Sequence, residues 1–64
     1  MAIKKWYVVT AENGLNLREE PSKRSNILKV LQFDEKVEAD NSIEAPEGWI
    51  AIKGGGFVMK EFLK

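Results

Sequence analysis

The sequence predicts an all-β domain, a small barrel or sandwich of five or six short strands with at most one helical turn, near Met59–Leu63. Three observations predict it. No stretch repeats apolar residues at the 3–4 spacing over the length of an ordinary amphipathic helix. Short runs rich in β-branched and aromatic residues recur instead at near-regular intervals. Between them stand turn residues, at Asn13-Gly14, Pro21, Pro46–Gly48 and Gly54–Gly56. The 64 residues make one domain, 1–64. A chain so short buries only about 60% of the surface it exposes when unfolded, so its core is small. Closure matters at this size, because open strand edges invite aggregation.

The elements follow in order. "KWYVVTA", Lys5–Ala11, reads as a strand. Asn13-Gly14 is a hairpin signal. A three-residue loop Glu12–Gly14 sets Ala11 opposite Leu15 and Val9 opposite Leu17, so the apolar faces match and Gly14 takes a left-handed conformation. A kinked continuous strand is the alternative, and it too puts Val9, Leu15 and Leu17 in the core. "LNLR" alternates, then runs into the charged segment Arg18-Glu19-Glu20 and Pro21. Residues Glu19–Asn26 are loop by composition. "ILKVLQF" is a third strand. After a turn at Asp34-Glu35, Val37 and Ala39 face one way and Lys36, Glu38 and Asp40 the other. "SIEAPEG" is a second loop. "WIAIK" places Ile50 and Ile52 on one face and Trp49 and Ala51 on the opposite one. Gly54–Gly56 form a tight turn into a last strand, "FVM". The expected core is Val9, Leu15, Leu17, Leu28, Leu31, Val37, Ile50, Ile52 and Val58.

Composition narrows the function. Ten basic and ten acidic side chains leave no net charge, whereas binding to a phosphate backbone or an anionic membrane surface needs a basic footprint. A local patch of Lys4, Lys5, Lys23 and Arg24 is the one candidate for nucleic acid, and none is expected as a partner. No apolar run is long enough to span a bilayer. The N-terminus lacks the pattern of a signal peptide, so the chain is expected to be cytoplasmic if Met1 is the native start, or cell-wall associated if cut from an exported protein. Without cysteine there is no disulfide.

Four segments together carry a family resemblance. "LNLREEPS" resembles the "LNVR-x-x-P-S" stretch that opens bacterial SH3-like domains. "ILKVLQFDEKVEA" is similar to their "V-I-x-x-L-x-x-G-x-x-V-x-V" segment, "EGWIAI" to "x-G-W-x-x-V", and "GFVMKEFL" to the terminal "G-W-V-x-x-x-Y-L". The match runs from Tyr7 to Leu63. It departs at Asp34, where the family favours glycine, at Phe57, where it favours tryptophan, and in the shorter Gly54-Gly55 turn. The resemblance implies an SH3-like barrel in which residues 19–26 form a long loop leaving the first core strand. Pro21, which donates no backbone hydrogen bond, ends strand pairing there. It also implies a binding module, since such domains accompany cell-wall enzymes and are thought to bind peptidoglycan, often its peptide portion.

Catalytic chemistry has little to work with. There is no histidine or cysteine, and no hydroxyl has a partner to act as base. The carboxylates read as solvated surface, and neither Glu19-Glu20 nor Asp34-Glu35 has the spaced ligands of a calcium site. "KGGGF" lacks the lysine and helix of a phosphate-binding loop. The expectation is therefore no enzyme, no cofactor and no metal. The aromatics point to binding. With Ile50 and Ile52 inward, Trp49 faces out, and one of Trp6 and Tyr7 does so too. Flat aromatic faces beside a charged loop suit an extended peptide or glycan strand. The expected ligand site comprises Tyr7, Arg18, Glu19, Glu20, Trp49 and Phe57, where the 19–26 loop meets Trp49 and Tyr7. Arg18 has two readings, an ion pair with Glu19, Glu20 or a neighbouring strand, and a clamp on a ligand carboxylate. The expected partner is peptidoglycan or a peptide. The alternative is a protein, with the barrel serving as an intracellular docking or self-association domain. The isolated domain is expected to be a monomer.

Overall fold

The computed structural model describes residues 5–64; Lys4, part of the basic patch weighed above, lies outside them. Six short strands form: β1 Lys5–Val8, β2 Leu15–Arg18, β3 Ile27–Leu31, β4 Lys36–Ala39, β5 Trp49–Ala51 and β6 Phe57–Met59. A single 3-10 turn, Lys60–Phe62, follows, where the 3–4 spacing of Met59, Phe62 and Leu63 predicts a helical turn. The fold is all-β.

The strands make two antiparallel sheets, β1-β4 and β3-β2-β6-β5. Isolated bridges join them. Ala39 meets Ile52, flanked by hydrogen bonds from Asp40 N to Ala51 O (2.9 Å) and from Lys53 N to Glu38 O (2.9 Å). Val9 meets Leu63, and Val8 and Lys64 exchange backbone hydrogen bonds at 3.0 and 2.9 Å. Among the described residues the ladder does not close into a barrel, since β3 pairs with β2 alone.

The expected β1–β2 hairpin does not form. β1 pairs with β4, Tyr7 opposite Val37, while β2 carries β3 on one edge and β6 on the other. β6 meets the β2 edge at Arg18, opposite Phe57. The chain bends between them, with Gly14 N bonded to Ala11 O (3.0 Å). Gly14 is left-handed (φ 94°), and a Cβ there would lie 2.7 Å from Val30 Cγ1. The glycine is therefore required both by dihedral and by space.

Val9, Leu15, Leu17, Leu31, Val37, Ile52 and Val58 form the buried core. Leu28 does not belong to it and is 52% exposed. The β2–β3 register shifts between Leu17 and Arg18, pairing Leu17 with Lys29 and Arg18 with Ile27, so Leu28 has no partner across the ladder. Ile50 is also not central: it is half-buried against the core's edge. Alternation breaks at the end of β5, where consecutive residues Ala51 and Ile52 are both buried.

Candidate functional site

The aromatic residues divide among strands that alternate their faces. On β1, Trp6 is the outward ring, 58% exposed, and Tyr7 packs against the core. The expectation that Tyr7 is an open aromatic face is thus corrected. Trp49 is half-buried, not fully outward, because β5 lies close beside the segment that follows β4.

Tyr7 and Trp49 do come together. They line a groove of about 300 Å³ with Asp40, Asn41, Ile43 and Lys60. Each arrives by a separate route. Tyr7 is delivered by the β1–β4 ladder, Trp49 by the β5–β6 ladder, where it sits opposite Met59. Asp40 follows β4 directly and anchors the next turn: Ser42 donates both its N–H (3.0 Å) and its hydroxyl to Asp40 Oδ1. These two bonds, hydroxyl first, hold the Asp40 carboxyl below the ordinary aspartate value, with Lys53 adding in the same direction. At one end Lys5 places its ammonium 5.7 Å from the Tyr7 ring centre, within cation–π reach. The groove therefore offers two flat rings, a persistent carboxylate and, at its margins, the ammonium groups of Lys5 and Lys60.

Arg18, Glu19, Glu20 and Phe57 are not part of this lining. Arg18 and Phe57 meet each other across β2–β6. Arg18 Nη1 donates to the Ser25 carbonyl at 2.9 Å and makes no ion pair with Glu19 or Glu20 among the described residues. The 19–26 loop is stitched to itself, by Glu19 N to Asn26 O (2.9 Å) and Glu20 N to Ser25 Oγ (2.8 Å). Arg18 thus serves its own loop. The six expected site residues fall into two groups because β1 pairs with β4: Tyr7 goes with β4 and its following loop, while the 19–26 loop stays with β2.

Lys5, Asp40, Asn41, Ile43 and Lys60 also line the groove and were not among the expected site residues. The only signal available was that the second loop, "SIEAPEG", ends directly at Trp49. Among the described residues no three carboxylates converge as a metal site. No family's sequence model matches this chain, and no curated protein is significantly similar to it.

Proposed function

We propose that this chain is a non-catalytic binding module with an SH3-like barrel left open beside β3, holding an extended peptide such as the peptide portion of peptidoglycan against Tyr7 and Trp49. The observation that carries this is the groove itself: two half-buried rings in one lining, together with an acidic and two basic groups. Short peptides with free carboxylates and amines match that mixture, stacking apolar parts on the rings and pairing their charges with Lys5, Lys60 and Asp40. The volume, about 300 Å³, suits one or two residues lying across the surface.

The SH3-like reading draws support from one backbone detail. Asp34 has φ 68°, in a turn closed by Glu35 N to Gln32 O (3.1 Å). A left-handed third residue is what such a turn needs, and glycine supplies it at least cost. The resemblance places glycine at this position, so the shape persists under the substitution.

The test is an NMR titration of the labelled domain with a muropeptide and, separately, with a peptide-free glycan strand. The expected result is a shift of the Trp49 indole and of Asp40–Ile43 amides with the muropeptide, at micromolar or weaker affinity. Asp40→Lys and Trp49→Ala should each abolish the response while the spectrum stays dispersed. A muropeptide response that leaves Trp49 unmoved would overturn the site, and no response would overturn the ligand.

A further inference from the structure

We propose a second binding site, a cleft between β3 and β4 that accepts an extended acidic segment of another protein, added as a strand to the outer edge of β3. The cleft has a volume of about 500 Å³. Its floor is the core itself, through Leu17, Leu31, Val37 and Ile52, and the exposed Trp6 ring forms one wall. It shares no lining residue with the Tyr7–Trp49 groove, so it stands or falls separately from the function proposed there.

Two independent observations specify the occupant. The first is charge. Lys29, Lys36 and Lys53 rim the cleft with Glu35 and Glu38. Glu38 pairs with Lys53 at 3.8 Å, and Glu35, which accepts the Gln32 N–H at 2.8 Å, keeps its charge, so the two remaining lysines outweigh one carboxylate. Lys29 and Lys36 have no carboxylate partner among the described residues. The available charge is positive, on a chain that is neutral as a whole.

The second is the strand edge. Among the described residues β3 is the longest strand and is paired on one side only. Ile27, Leu28 and Val30 on it are 49%, 52% and 47% exposed. Strand edges are ordinarily shielded by charge or proline; here the only charge is Lys29, which lines the cleft. An added strand would satisfy the free backbone groups of β3. Its alternate side chains would fall toward the cleft floor and over Leu28 and Val30. Acidic residues flanking its apolar ones would reach Lys29 and Lys36. A second copy of this chain fits less well, because edge-to-edge pairing brings two positive rims together.

The probe is the capped peptide Glu-Glu-Val-Thr-Val-Glu-Glu, titrated into the labelled domain beside its lysine counterpart. Shifts are expected in the Ile27–Leu31 and Val37 amides and the Trp6 indole, with sub-millimolar affinity. The lysine peptide, and the double variant Lys29→Glu/Lys36→Glu, should each weaken binding about tenfold or more. Both lysines are exposed, so the variant keeps its fold. Absence of shifts, equal binding of both peptides, an unaffected double variant, or shifts confined to the Trp49 groove would each overturn the proposal. Concentration-dependent β3 shifts in protein alone would do so in favour of self-association.

Discussion

The two clefts differ in what lies beneath them. The Trp6 cleft opens directly onto four buried core residues, Leu17, Leu31, Val37 and Ile52. The Tyr7–Trp49 groove instead lies on two small buried side chains, Ala39 and Ala51, and the half-buried Ile50. β1 serves both, sending Trp6 to one and Lys5 and Tyr7 to the other, as strand alternation requires. In the first cleft a side chain that shapes the surface also holds the fold. In the second, the larger side chains Tyr7 and Ile50 border the core without being buried in it, so each holds the fold less strongly.

The largest expected effect tests that contrast directly. Leu17, 7% exposed, lies under the Trp6 cleft, and Leu17→Ala should cost about 2–5 kcal/mol. Ile50 lies in the other groove, and Ile50→Ala should cost about 1 kcal/mol, since only part of its side chain leaves water. Urea unfolding of both variants measures the difference. Equal losses would remove the distinction between the clefts.

A smaller effect, of opposite sign, is expected at the turn leading into β4 beside the Trp6 cleft. Asp34 is the one described non-glycine residue with positive φ. Asp34→Gly relieves a left-handed side chain worth about 1–2 kcal/mol but adds freedom to the unfolded chain worth about 0.4–1 kcal/mol. The net should be a gain of about 0.5 kcal/mol, visible as a higher melting temperature. A loss would mean that the aspartate side chain supports the turn in its own right.

The smallest effect belongs to the Tyr7–Trp49 groove. The Asp40 carboxyl titrates below the ordinary aspartate value because Ser42 donates to it. A depressed acid adds stability that is present above the unfolded value, near 3.8, and is lost as pH falls through the lower folded one. Ser42→Ala should return the Asp40 midpoint toward 3.8 and flatten that part of the pH profile, as followed by carboxyl carbon NMR. The groove of the variant would then lose its anion at a higher pH than the parent. An unchanged midpoint would show that the Ser42 hydroxyl does not hold the carboxylate.

Local pattern made much of the fold legible. Alternation at Leu15 and Leu17 and at Val37 and Ala39 marks the buried faces of β2 and β4. The spacing of Met59, Phe62 and Leu63 marks the single helical turn. Leu28 fails for a reason that also lies outside local pattern: a register shift in the ladder, set by the partner strand, lifted it out of the core. Of the six expected ligand-site residues, two share a groove. Tyr7 and Trp49 were recognisable as chemistry, and they do share a groove; that Asp40, Ile43 and Lys60 join them was not.

By itself, then, the sequence determined the strands, their turns and most of the inward side chains, because each depends on residues within a few positions: alternation, β-branching, and glycine where φ must be positive. Tertiary structure alone decided which strands became neighbours. Asn13-Gly14 favours a hairpin on local grounds, yet β2 spends its two edges on β3 and β6, and β1 crosses to β4. That choice depends on burying seven core side chains at once, a condition no short segment contains. It separated Tyr7 from the 19–26 loop, brought it to Trp49, and left the outer edge of β3 without a partner strand among the described residues.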